Sequence, residues 1–139
     1  FSFKANTNDT RESASITICK DLIEEGAILR IHDPKVNKKQ IANDLNLKEL
    51  SNSLSKRDLY KSKTDGSWLF NEKIMDSFYD ADAVVVLTEW EEYSKLNWNI
   101  ISKKMRKPGW VFDVRSIISE DEVLRSGLKF WRIGDGSYN

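Results

Sequence analysis

Residues 81–90 read ADAVVVLTEW, and this stretch decides the fold class. Three consecutive valines followed by leucine form a short apolar run of strand length, in a residue type whose branched Cβ fits a pleated sheet. An unbroken run rather than an alternating one suggests a strand buried on both faces, as in a parallel sheet. Parallel strands need crossover connections, so helical patterns should lie on either side. They do. Upstream, a short helix over about 71–79 leads into the run, and downstream a helix is expected across 91–105.

Outward from there the alternation continues. Residues 1–4 read as a short buried strand, after which Asp9 or Thr10 caps a helix, with Glu12 placed to close a capping box. Across 11–25, Ala14, Ile16, Ile18, Cys19, Leu22 and Ile23 make one apolar stripe, which Gly26 ends as a C-terminal cap. AILRIHDP (27–34) supplies a second strand closed by Pro34, and IANDLNLKEL (41–50) holds a helical turn or two. The polar segments SNSLSKRD (51–58) and KSKTDG (61–66) read as loop. After Pro108-Gly109 comes the strand WVFDV (110–114); Ser119 with Glu122 then opens a short helix that Gly127 ends, and LKFWRI (128–133) is the last strand. Strand and helix alternate, which predicts an α/β fold: one parallel sheet with helices on both faces, in a single domain. A strand that begins at once at Phe1, with no Met or leader, suggests a piece of a longer chain.

Composition excludes several function classes. Lys plus Arg and Asp plus Glu are 22 each in 139 residues, so no global field draws the chain to nucleic acid or to an anionic membrane. The basic run Lys103, Lys104, Arg106 and Lys107 sits at an expected helix end, where cations complement the dipole. No apolar run has the length of a membrane span. The single Cys19 excludes an internal disulfide and fits a reducing, cytoplasmic setting.

In open parallel sheets, ligands sit outside the carboxyl ends of the strands. The residues so placed are Lys4 and the turn to Arg11, then Asp33 and Lys35, then Thr88, Glu89 and Trp90, and finally Asp113, Val114 and Arg115. Lys4 and Arg115, far apart in sequence, fall on one edge and suit an anionic ligand such as a nucleotide; the plainer alternative is that both neutralise acids at strand ends. Asp33 stands where a dinucleotide fold would hold a ribose, but KANTNDTRES (4–13) lacks the glycines that let backbone approach a pyrophosphate. Asp33 is therefore read as a turn former. Cys19, mid-helix on the apolar stripe, is read as core rather than nucleophile. His32, the only histidine, has no partner at metal spacing, and no metal site is assigned. Glu89 and Asp113 lack an obvious base to make an acid–base pair, and the tryptophans at 68, 90, 98, 110 and 131 are read as packing residues.

Four ordered segments carry a resemblance. FKANTNDTRES (3–13), GAILRIHDPKV (26–36), ADAVVVLTEWEEY (81–93) and WVFDVR (110–115) resemble motifs of the UDP-binding domain of the UDP-glucose/GDP-mannose dehydrogenase family. The resemblance covers nearly the whole chain and is strongest to animal-type members that oxidise UDP-glucose. It implies that residues 1–139 are a C-terminal, Rossmann-like UDP-sugar-binding domain. It further implies a full protein that converts the C6 alcohol of UDP-glucose to a carboxylate, in two NAD-dependent steps through a thioester on a cysteine. That cysteine and most of the NAD site would lie in parts outside this chain, leaving no catalytic residue here and the fragment inactive alone. On matching positions, Phe3, Lys4 and Arg115 would contact the UDP-sugar, and Arg11 would reach toward NAD. Other implied partners are the remaining domains of the same chain and further copies in a homo-oligomer, with no nucleic acid or membrane. A GDP-mannose or UDP-N-acetyl-sugar dehydrogenase, and a non-catalytic nucleotide-sugar-binding module, stay open as alternatives. Two positions depart from the family pattern: Asn8, where many members have Asp, and Val114, where they have Gly. Because a β-branched residue is strained at positive φ, Val114 is expected at negative φ, delivering Arg115 to the strand-end edge beside Lys4.

Overall fold

The computed structural model describes residues 1–50 and 66–134. In chain order the elements are α1 (Ala14–Glu24), β1 (Ile28–Ile31), α2 (Lys38–Leu45), β2 (Ser67–Phe70), a 3-10 helix (Ile74–Phe78), β3 (Ala83–Val86), α3 (Glu91–Ser94), α4 (Trp98–Lys104), β4 (Trp110–Asp113), α5 (Glu120–Arg125) and β5 (Lys129–Arg132). Every strand pairing among the described residues is parallel. This is the α/β class that the alternation of strand and helix implies. The strands form a two-stranded sheet, β1-β2, and a three-stranded sheet, β3-β4-β5. The chain divides into two compact units: Phe1–Phe3 with Thr7–Ser77, and Lys4–Asn6 with Phe78–Asn139.

In the first unit, β1 and β2 pair from Ile28 opposite Ser67 to Ile31 opposite Phe70. Their core gathers Phe1, Cys19, Ile31, Val36, Ile41, Leu45 and Trp68. Trp68 is fully buried, and its indole N–H donates to the Leu47 carbonyl at 2.9 Å, so the polar end of the ring is satisfied inside the core. α1 begins later than the sequence suggests. Its N-cap is Ser13, whose hydroxyl oxygen accepts from the Ser15 N–H, because Glu12 adopts φ 59° and cannot belong to the helix. Asp9 is occupied elsewhere, as shown below. The other end is as read: Gly26 at φ 90° lets its own N–H reach Ile23 and the Ala27 N–H reach Leu22, the paired bonds of a left-handed helix stop.

Residues 1–4 are not a strand. Phe1 and Ser2 are buried, but they are fixed by a side chain rather than by a ladder: the Phe1 nitrogen and the Ser2 N–H both donate to Asp33 Oδ2 at 3.0 Å. The Ser13 hydroxyl closes the arrangement by donating to the Phe1 carbonyl at 2.8 Å. β2, by contrast, was not legible; SWLF is too short and too mixed to stand out beside the polar stretch before it. That stretch, residues 51–65, read as loop, lies outside the described residues.

In the second unit, β4 is central, with Val84 opposite Val111 and Val111 opposite Phe130. Val111 and Val123 are fully buried; α4 and α5 pack on each other, and α5 packs against β5. The expected helix over 91–105 is two helices, because Asn97 caps α4 by accepting from the Ile100 N–H and so restarts the chain. Ser119 caps α5 in the same way through the Glu122 N–H, and Gly127 at φ 89° ends it. The valines of β3 are not buried on both faces: Val86 is buried but Val85 is 40% exposed, on the face it shares with Phe112 and Trp131. Valine favours a strand whether or not both faces are covered, so the run marked the strand correctly and its burial incorrectly.

Candidate functional site

The carboxyl end of β4 is organised by Asp113, which has no exposed surface. Its carboxylate accepts from the Arg115 N–H at 3.1 Å, from the Ile118 N–H at 2.9 Å and from the Arg132 guanidinium at 3.3 Å. Arg132 also donates to the Ile118 carbonyl. One buried acid thus pins both ends of the turn that follows the strand, and a cation from β5 balances its charge. The turn needs one residue at positive φ, and it is Ser116, at 59°. Val114 stays at negative φ, as expected, and its N–H bonds the Val86 carbonyl at 3.2 Å, carrying the β3-β4 ladder one residue past the strand.

Arg115 emerges from this turn with its backbone held and its side chain about one-third exposed. The guanidinium donates through Nε, and pairs through a terminal nitrogen, to the same oxygen of Glu89, which follows β3. The Ala5 N–H donates to the Glu89 carboxylate too. Burial pushes the Glu89 carboxyl up, but the Arg115 guanidinium, its own N–H and the Ala5 N–H outweigh that and leave it below the ordinary value. The turn Lys4–Asn6, which Asn6 closes at φ 63°, therefore meets Arg115 through a single carboxylate. Arg115 follows the end of β4, as the sequence places it, whereas Lys4 follows no strand. What the sequence did not disclose is Glu89 as the link. Its position directly after a strand and before Trp90 was visible, but nothing in the pattern says which cation it faces.

Phe3 belongs to the other unit; its ring is 46% exposed and its N–H donates to the Asp9 carbonyl at 2.7 Å. Arg11, in that unit also, is 87% exposed at its side chain. It forks onto Asp9, with Nε to Oδ1 at 3.0 Å and a terminal nitrogen to Oδ2 at 2.9 Å, while its own N–H donates to Oδ1 at 3.0 Å. Those bonds from Arg11 pull the Asp9 carboxyl down to about 2. A depressed carboxyl stabilises the folded chain above its unfolded pKa, near the ordinary 3.8, and the contribution is lost as pH falls through about 2. In an NMR titration Asp9 should report a midpoint near 2, and Arg11→Ala should return it toward the ordinary value. An unmoved midpoint in that variant would show that Arg11 is not what holds Asp9.

The remaining candidates resolve simply. The Asp33 carboxylate is 4% exposed and accepts from Ser2, from Lys35 at 2.9 Å and from Val36 at 3.0 Å, besides the Phe1 nitrogen, so it is committed to backbone. It is a turn former, and an anchor for the first two residues as well. Cys19 is buried, and burial pushes its thiol up to about 11. Trp68, Trp90 and Trp98 are buried; Trp110 stacks on Phe112 at 5.6 Å between centroids, and Trp131 lies beside Phe112 at 6.0 Å. Arg106 of the basic run forks onto Asp82 at 2.8 Å, and Lys103 and Lys104 sit in the last turn of α4. Among the described residues no group of three His, Cys, Asp or Glu side chains is arranged to hold a metal ion, and no helix is long and apolar enough to cross a membrane.

Residues 1–120 match the family model described as the UDP-glucose/GDP-mannose dehydrogenase family, UDP binding domain. The chain is 36% identical over 134 residues to the UDP-glucose 6-dehydrogenase of Drosophila melanogaster, covering 96% of this chain and 27% of that protein. It is 38% identical over 142 residues to the Caenorhabditis elegans UDP-glucose 6-dehydrogenase, covering 100% and 27%. Against that of Gallus gallus the identity is 39% over 136 residues, covering 96% and 26%. The chain thus spans about a quarter of the length of these curated relatives.

Proposed function

The chain belongs to the UDP-glucose/GDP-mannose dehydrogenase family, and from that membership we propose that it holds the uridine diphosphate end of UDP-glucose for a UDP-glucose 6-dehydrogenase. The observation that carries the reading is Arg115 at the carboxyl end of β4, held by Glu89, whose carboxylate also takes the N–H of Ala5, the residue after Lys4. A diphosphate asks for a planar fork and a compact charge close together, which Arg and Lys supply. Phe3, next in the chain to Lys4 and largely exposed, offers an apolar face for the nucleotide. UDP-glucose is favoured over GDP-mannose because the relatives compared above are all UDP-glucose 6-dehydrogenases.

The whole protein would oxidise the C6 alcohol to a carboxylate, giving UDP-glucuronate, with NAD as hydride acceptor in each of two steps. Toward NAD this chain contributes Arg11 alone. The turn 4–13 has no glycine to cradle a pyrophosphate, whereas the Arg11 guanidinium is held outward, against Asp9. Arg11→Ala is accordingly expected to raise the NAD requirement of the full-length enzyme while sparing sugar-nucleotide affinity. Equal losses for both ligands would count against that role.

The chemistry itself is assigned to the rest of the protein. Cys19, buried and with a raised pKa, is no nucleophile. The chain alone, given UDP-glucose and NAD, should produce no NADH above background by absorbance. A rate that vanishes on Cys19→Ser would overturn this assignment.

A further inference from the structure

Arg115 is held at two points by two different acids. Asp113 takes its backbone N–H, and Glu89 takes its guanidinium. Both guanidinium contacts go to one Glu89 oxygen, from Nε and from one terminal nitrogen. Arginine has five N–H donors in a fixed fork. Committing the Nε–H and one terminal N–H leaves three, enough for a bidentate approach to a phosphate. With its side chain 36% exposed, Glu89 sits at the rim of the edge rather than in the core.

We propose that Glu89 is a positioning residue for the diphosphate site: it does not touch the ligand, but holds the Arg115 guanidinium through one carboxylate oxygen, so that the remaining donors of the fork are presented in one orientation. The proposal rests on Arg115 being a UDP ligand, as proposed above. It treats Glu89 as a clamp and not as a competitor that the phosphate must displace. The distinction is physical. A clamp lowers the ordering cost of a flexible cation before the ligand arrives, whereas a competitor adds the cost of breaking an ion pair.

The test is isothermal titration of UDP into the full-length dehydrogenase carrying this chain, as wild type, Glu89→Gln, Arg115→Ala and the double variant. Glutamine keeps the shape and an acceptor oxygen but loses the charge that holds the guanidinium. Glu89→Gln is expected to weaken UDP about two- to fivefold, the range for a partly exposed ion pair. It should leave NAD affinity as in wild type and have no further effect once Arg115 is alanine. Additive losses in the double variant would overturn the clamp, as would unchanged or tightened UDP binding by Glu89→Gln while Arg115→Ala is weak. If Arg115→Ala itself binds UDP as wild type does, the reading of Arg115 as a ligand fails, and the clamp with it. A crystal structure of the wild-type enzyme with UDP checks the same point without any variant. The Glu89–Arg115 pair is expected to persist beside the bound diphosphate, and a broken pair would overturn the proposal.

Discussion

Replacing Arg115 with alanine should weaken UDP-glucose binding to the full-length enzyme about tenfold to a hundredfold, with little change for NAD. A hydrogen bond to a charged group contributes about 1.5–3 kcal/mol, and that range converts to these factors. The estimate suits this residue because its placement precedes the ligand. Asp113 holds the backbone and Glu89 the guanidinium, so little of the contact energy is spent on ordering a free side chain. Arg115→Lys should recover part of the loss, since lysine restores charge but not the fork. Equilibrium titration of the three proteins measures this directly. Affinity unchanged in Arg115→Ala would remove the residue from the site. Affinity fully restored by lysine would show that charge alone is read.

The second large effect is on stability. Asp113→Ala should destabilise the fold by about 3–5 kcal/mol, the cost of breaking a buried ion pair by removing one partner. Here the substitution strands two backbone N–H groups, of Arg115 and Ile118, and leaves Arg132 without its carboxylate. Domains of this size are stable by only about 5–15 kcal/mol, so the urea midpoint should fall by a large fraction. Asp113→Asn should be milder, because the amide oxygen still accepts from one N–H while the charge opposite Arg132 is lost. A loss below about 1 kcal/mol for the alanine variant, inside the range of an ordinary surface substitution, would mean that the turn after β4 holds itself without the acid. Because Asp113 also fixes the Arg115 backbone, the two predictions are coupled, and binding in any folded Asp113 variant should fall as well.

The amino-acid sequence by itself determined the class of the fold. Apolar runs at Ile28–Ile31, Ala83–Val86, Trp110–Asp113 and Lys129–Arg132 are strands because branched and aromatic side chains fit a pleat, and that preference is local. Gly26, Gly127 and Ser119 end or begin helices through bonds within a few residues, so they too could be read directly. The end of β4 is local in the same sense, and it sets Arg115 just past a strand. Only the tertiary structure decided what depends on long-range partners. Residues 1–4 are not a strand because Asp33, about thirty positions away, takes the Phe1 and Ser2 nitrogens, and the Asp9 carbonyl takes the Phe3 N–H, in place of a ladder. β2 exists because β1 is there to pair with it, not because SWLF prefers to be extended. Val85 is exposed because burial is a property of what covers a face, which no run of valines encodes. Arg11 and Arg115 are the same residue type at comparable turns; one forks onto a neighbour two residues away, the other onto a carboxylate twenty-six residues away. Spacing reveals the first partner. The second follows from the parallel register that sets the ends of β3 and β4 side by side, and with them Glu89 and Arg115.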